Sequence, residues 1–310
     1  MIDLMPTTIR LPFSLQRRLE AASSTFLHPT GGQSVDFASP AGEAALVPPE
    51  SVSWRIFKNP ISLFVGGVAA VILELADPAV RTGVWERSTF RSDPLGRLRR
   101  TGLAAMVTVY GARSLSVPMI ARIARMHARV TGTTPDGRPY AANDPALLTW
   151  VHATATFGFV GAYDRYVAGL CRSDVDSVYR EGAPTLMLYG AADAPDSQAR
   201  ANALFDTQRA RLEPSPIVFK FLQMMADTPA FPASLVWMQR LLVCAAVEIV
   251  PGWARERLGL DGRFALRRHE RWVVQFAAAL ADRVVLREGP AAQSCLRLGL
   301  PATYLYPGGR

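Results

Sequence analysis

The sequence predicts an all-α protein folded as a single multi-helix globular domain, and three observations point there. Four Asn-Pro or Asp-Pro pairs, Asn59-Pro60, Asp77-Pro78, Asp93-Pro94 and Asp144-Pro145, each precede a helix-like pattern. Asn or Asp at the cap accepts the free amide hydrogens of the first turn, and Pro in the first helical position gives up an amide that has no partner there. Hydrophobic residues make up 49% and charged residues 19% of 310, which excludes a disordered chain and allows a sizeable core. No stretch of useful length alternates apolar and polar residues as a half-buried strand does, and no internal repeat is present.

In order along the chain, Ser14 to Ala22 reads as a short amphipathic helix. Residues 29–50, rich in Gly, Pro, Ser and Ala, read as a loop or mobile lid. Helices are expected over 60–76, 78–86, 94–112, 117–131, 145–169, 173–192, 195–211, 214–226, 232–249 and 264–284. Pro118 is read as opening the helix 117–131, and Ser173 with Asp176 approximates a capping box. Segment 131–143 is a turn-rich connector, and the tail after Val285 is expected to be irregular. The division is therefore 1–50 (short helix and loop), 51–285 (helical domain) and 286–310 (irregular tail).

The formal net charge is +8, from 34 basic and 26 acidic residues, and only Lys58 and Lys220 are Lys. Arg favours planar, bidentate partners such as carboxylate and phosphate, yet these Arg are spread along the chain. With no basic run and no aromatic-interleaved patch, no nucleic-acid partner is expected. Cys171, Cys244 and Cys295 are far apart and odd in number, which fits neither a disulfide framework nor a CxxC site. The N-terminus lacks a basic region followed by an apolar one, so a cytoplasmic location is expected. The apolar stretches Ile61–Leu73 and Leu235–Val250 are read as buried helices, the first being too short to span a bilayer. Mean hydropathy of +0.12 leaves peripheral membrane contact open.

The four His are 28, 127, 152 and 269. At about 100° per residue, Ile120, Ile123, His127 and Val130 share one helix face, with Arg122, Arg125 and Arg129 opposite. His127 therefore points inward, either as a ligand or as a satisfied core histidine. Arg97, Arg100, Thr101, Ala104 and Thr108 form a stripe that is cationic at its start and then small and weakly polar. It suits either an oxyanion or bound dioxygen, or close helix packing. His152 lies in an apolar helix and needs a partner for at least one nitrogen; it can ligate or pin a neighbour. His28, in a loop, and His269, after two Arg, are expected in solvent. No hydrolase elbow, phosphate loop, His-Glu-x-x-His or dinucleotide fingerprint is present.

Three segments, taken together, resemble a known family. They are Phe90-Arg91-Ser92-Asp93-Pro94-Leu95-Gly96-Arg97-Leu98-Arg99-Arg100-Thr101, Arg122 to Gly132 with its His127-Ala128-Arg129-Val130-Thr131-Gly132, and Pro135-Asp136-Gly137-Arg138-Pro139-Tyr140 through Asp144-Pro145 to Trp150-Val151-His152-Ala153-Thr154. Their order and spacing resemble the family that contains latex-clearing rubber oxygenase and the membrane-bound oxygenase of mycophenolic acid synthesis, clearly from Trp54 to Gly169 and diffusely to about 285. The resemblance implies an all-α fold around a buried cofactor or ligand cavity, a b-type haem with its iron, and dioxygen-dependent cleavage of an isoprenoid carbon–carbon double bond. It makes His127 the proximal ligand and metal-binding residue, and places Arg97 and Thr101 on the distal side. Arg100 stands where the rubber enzyme carries Lys; an always-protonated Arg does not ligate iron. Arg87 replaces a His found in many bacterial members. No residue of this chain matches the carboxylate base proposed for rubber cleavage.

The reading is thus a haem oxygenase-like enzyme with an apolar, isoprenoid or lipid-like substrate and dioxygen. Arg97, Arg100 and Thr101 are the catalytic candidates, and His127 and His152 the cofactor-binding ones. Its rivals are a haem-free helical carrier of an apolar ligand and an interaction protein with a vestigial site.

Overall fold

The computed structural model describes residues 8–9, 11–14, 16–17, 20, 35–191, 193–228, 235–306 and 308. His28, the start of the helix expected at 232, and most of Ser14–Ala22 lie outside them; Ser14, Gln16, Arg17 and Glu20 of that last segment are described and helical.

Within the described residues the order is α1 (Val52–Phe57), α2 (Pro60–Ala76), α3 (Pro78–Arg87), α4 (Pro94–Tyr110), α5 (Arg113–His127), β1 (Thr131–Thr133), β2 (Pro139–Ala141), α6 (Pro145–Tyr166), α7 (Arg172–Tyr189), α8 (Gln198–Gln208), α9 (Pro216–Asp227), α10 (Val236–Ile249), α11 (Gly252–Leu258), α12 (Arg268–Ala281) and α13 (Pro290–Arg297). The chain is all-α with one antiparallel strand pair, Thr131 opposite Ala141 and Thr133 opposite Pro139. All four expected caps form. Asn59 accepts from the amides of Ile61 and Ser62, Asp77 from Ala79 and Val80, Asp93 from Gly96, and Asp144 from Ala146 and Leu147.

The bundle is organised by α2 and α6, which touch backbone to backbone. A Cβ on Gly66 would fall 2.6 Å from the Gly158 carbonyl oxygen, and one on Gly158 2.2 Å from the Gly66 oxygen. Only glycine at both positions permits this approach. Around the pair, α9, α10 and α12 close a main core that includes Ile72, Leu73, Trp150, Phe221 and Leu242. A second core joins Trp54, Tyr110, Tyr163, Tyr179 and Cys295, and α4 spans the two, Leu98 packing on the first and Leu103 and Met106 on the second.

Several sequence expectations need correction. Pro118 lies inside α5, which starts at Arg113 and ends at His127, so Val130 belongs to the turn after it. Segment 131–143 is a hairpin. Ser173 and Asp176 make no capping box; α7 begins after Cys171, which gives no side-chain cap. The tail after Val285 is not irregular, because α13 carries buried Ala291, Ala292 and Cys295. Its apolar residues are too small and too few to mark a periodic face. The described part of the expected lid, 35–50, is tied down. Phe37 and Val47 are buried, and Arg297 donates to the carbonyls of Phe37 (2.8 Å) and Glu43 (2.9 Å). Helices α1 and α11, of six and seven residues, were not anticipated.

Among the described residues no single helix is long and apolar enough to cross a membrane. The pairs α2–α3 and α10–α11 reach that length together but bend by 107° and 110° at their breaks.

Candidate functional site

The Asp93–Arg97 segment sets the start of α4. Asp93 Oδ1 accepts the Gly96 amide at 2.9 Å. Any Cβ at 96 would collide with that carboxylate, 2.0 Å from Oδ2, so the cap requires glycine there. Arg97 then emerges one turn into the helix and points toward the bundle, while Arg100 turns back. Arg100 pairs with Asp93 at 3.2 Å and donates to Thr89 Oγ1 at 2.6 Å at the molecular surface.

His127 is the last residue of α5. Ile120 is buried and Ile123 half-buried on its side of the helix, while Arg122, Arg125 and Met126 are exposed. The chain leaving His127 is fixed by the hairpin. Tyr140 of β2 packs on Ala79 and Leu147, and Gly132 of β1 lies so close to its ring that a Cβ would sit 2.7 Å from Oη. His127 Nδ1 is buried without a hydrogen-bond partner, and the residue's accessible surface lies away from that atom. Burial, reinforced by the Arg97 charge, holds His127 below the ordinary histidine range.

From α2 comes Glu74, which the sequence reading passed over as a break in an apolar stretch. Burial raises its carboxyl to about 7, against the opposing pull of Arg97 and of the Thr154 hydroxyl on α6. Burial likewise lowers the Arg97 guanidinium, with Glu74 pulling it up; it remains a cation at any working pH.

Partly exposed stripes run beside these groups on three helices. On α2, Phe64, Gly67, Val71 and Glu74 recur every three or four residues and keep partial exposure in the middle of the core helix. On α6, Ala155 and Phe159 do the same, and Phe159 reaches to 3.9 Å of a Cβ placed on Gly67. On α4 the matching stripe is Arg97, Thr101, Ala104 and Thr108, of which Thr101 is exposed.

His152 is differently placed. Its Nε2 is buried without a partner and lies against α7, where a Cβ on Gly182 would come within 2.9 Å of it and 2.7 Å of Cε1. Burial pushes its pKa down to about 4, so the ring is neutral and wedged against backbone. His269, as expected, is exposed.

The family model described as ER-bound oxygenase mpaB/B'/Rubber oxygenase, catalytic domain, matches residues 54–282. The chain belongs to this oxygenase family. No curated protein and no solved structure matches it. The matched span runs from within α1 through α12, so Glu74, Arg97, Thr101, His127 and His152 all fall inside it, and α13 lies beyond it.

Of the five residues singled out from the sequence, the fold brings Arg97 and His127 within electrostatic reach of each other and sets Thr101 on the Arg97 face. It holds Arg100 at the surface and His152 against α7. Among the described residues no group of three His, Cys, Asp or Glu could hold a metal ion. A metal held by side chains alone lacks its donor set there, whereas a haem needs one axial donor from the chain. His127 supplies an imidazole whose pKa is lowered by burial and by Arg97, which fits that requirement. His152 fits it poorly, because Nε2 abuts the α7 backbone.

Proposed function

We propose that this oxygenase-family chain binds b-type haem through His127 and uses dioxygen to cleave the double bond of an apolar, isoprenoid or lipid-like olefin. The observation that carries the reading is the half-buried His127, its pKa lowered by burial and by Arg97, with Arg97 in turn coupled to the buried Glu74. When bound, the haem supplies the activation of dioxygen, chemistry the side chains lack.

The chain's own residues do the rest. His127 holds the iron, and the nearby Arg97 charge helps keep the ring unprotonated and so able to ligate. Thr101 and Arg97 lie four residues apart on one helix face, and as donors on the distal side they would stabilise negative charge gathering on oxygen. Glu74, poised near 7, can hold or release a proton at its carboxyl under ordinary conditions. Phe64, Val71, Ala155 and Phe159 offer the apolar lining an olefin needs.

The test is the visible spectrum and pyridine haemochrome content of the purified, haem-reconstituted chain beside His127→Ala. The reading expects one haem in the wild type, loss of it in the variant, and unchanged helical circular dichroism. Wild-type haem content in His127→Ala would remove His127 as the ligand. No haem in either chain would favour the second reading, a carrier of an apolar ligand, which the same lining supports. Lipid extraction of the purified protein then checks it.

A further inference from the structure

Helix α12 is amphipathic in an unusual sense: both its faces are apolar. Val274 and Ala278 turn inward and are fully buried. On the opposite side Trp272 is 74% exposed, Phe276 65% and Leu280 39%. Their spacing of four puts them on one line along the helix. Large aromatic side chains aligned on an outer face are rare on a protein that meets only water. The N-terminal segment lies close to the end of this helix. Ile9 bridges to Val284, and Gln16 Nε2 donates to the Val285 carbonyl at 2.8 Å, which brings Phe13, 76% exposed, to the stretch just beyond α12.

The charges around this line are predominantly basic. From Asp261 to Glu288 there are six Arg against four acids, Asp261, Glu270, Asp282 and Glu288. Glu270 accepts the Arg267 backbone amide at 2.8 Å, Asp282 is held by Lys58 at 2.7 Å, and Asp261 lies 3.4 Å from Arg255. Arg263, Arg267, Arg268 and Arg287 are exposed. Trp and Phe flanked by Arg is the composition that settles at the boundary between headgroups and acyl chains, aromatic rings entering and guanidinium groups meeting lipid phosphates. A second copy of the same face would bring Arg clusters against Arg clusters.

We propose that the outer face of α12, with Phe13 beside it, docks the protein on an anionic lipid bilayer. Docking is peripheral, since α12 is short and its inner face belongs to the core. The surface is independent of the haem reading.

The experiment is co-sedimentation of the full chain with vesicles of phosphatidylcholine alone and of phosphatidylcholine mixed with phosphatidylserine, at low and high salt. The wild type should sediment with the mixed vesicles and be released by salt. Trp272→Ser/Phe276→Ser should lower partitioning by about 10- to 100-fold, and Arg267→Gln/Arg268→Gln by about fivefold per arginine. All four substituted side chains are exposed, so the melting temperature should not change, and circular dichroism verifies that. Wild-type chain left in the supernatant overturns the proposal, as does equal partitioning of the Trp272/Phe276 variant. Concentration-dependent self-association of the wild type that the same variant abolishes, with no vesicle binding, also overturns it and reassigns the face to a second copy.

Discussion

Glu74→Gln offers the sharpest test of this interior, because it reads a buried group through stability alone and needs neither substrate nor haem. Burial raises the Glu74 carboxyl from 4.5 to about 7. The sign follows from linkage. Between these two values the unfolded chain has lost the proton and the folded chain still holds it, so stability falls as pH rises through the window. Below it both states are protonated and no penalty exists; above it the full penalty is present. At about 1.36 kcal/mol per pKa unit, the wild type loses ~3 kcal/mol across the window from this one group.

Gln has the same shape and no titration, so the variant escapes that loss. With an unfolding entropy of about 2.1 cal/mol/K per residue, ~3 kcal/mol corresponds to roughly 5 °C for a chain of this size. The assay is thermal unfolding by circular dichroism of both proteins from about pH 4 to about pH 8. The difference in melting temperature, variant minus wild type, should grow by about 5 °C toward high pH, other titrations largely cancelling in the subtraction. Parallel curves would refute the reasoning, since they would mean that Glu74 is solvated or paired so tightly that it ionises normally.

Arg97→Gln should raise the His127 pKa in a nuclear magnetic resonance titration, because the cation that depresses it is gone; Arg100→Gln, a surface change with an exposed ion pair, should leave that titration in place and cost under about 1 kcal/mol. Arg97→Ala and Thr101→Ala should slow dioxygen-dependent turnover of an isoprenoid test substrate by roughly 10- to 150-fold with haem retained; a loss that only tracks unfolding would make Arg97 structural. Gly182→Ala should destabilise by about 1–3 kcal/mol, since its Cβ meets the His152 ring, and adding His152→Ala should recover much of that in a double-mutant cycle. Gly66→Ala should cost about 4 kcal/mol or more in chemical denaturation, because backbone cannot yield as a side-chain tip can.

The sequence made the fold class and the helix starts legible because their causes are local. Asn59, Asp77, Asp93 and Asp144 each bond amides two or three residues away, and a reader of the chain sees both partners at once. The inward aim of His127 is also local, written in the apolar and Arg faces of α5. What stayed hidden depends on contacts between distant segments. Gly66 and Gly158 mean nothing singly and define the centre of the bundle together. Glu74 looks like an interruption until α4 brings Arg97 toward it and α6 brings Thr154. Its signal was present as a lone carboxylate in an otherwise apolar helix, three residues beyond Val71 on the stripe of Phe64 and Gly67. The interior position of Pro118 was misread because Pro more often opens a helix than sits within one, and α5 has no side-chain cap at Ala112 to mark its true start.

The same reasoning explains why one buried cation matters more here than its place in a motif suggests. Desolvation alone would make His127 neutral and Glu74 protonated, and Arg97 acts on the two in different ways. It deepens the neutrality of His127, which favours ligation. It opposes the protonation of Glu74, drawing that carboxyl back to about 7. Glu74 in return raises Arg97 against its own burial. The three groups thus form a balanced set on three helices, with a donor-ready imidazole, a fixed positive charge and a carboxyl that can exchange a proton near neutrality. Thr101 adds a neutral donor one turn along α4 from Arg97. Placed at the surface, as Arg100 is, an identical guanidinium would be screened and would set neither proton state. It is the burial of Arg97, one turn beyond the Asp93–Gly96 cap at the start of α4, that ties a capping motif to the proposed site.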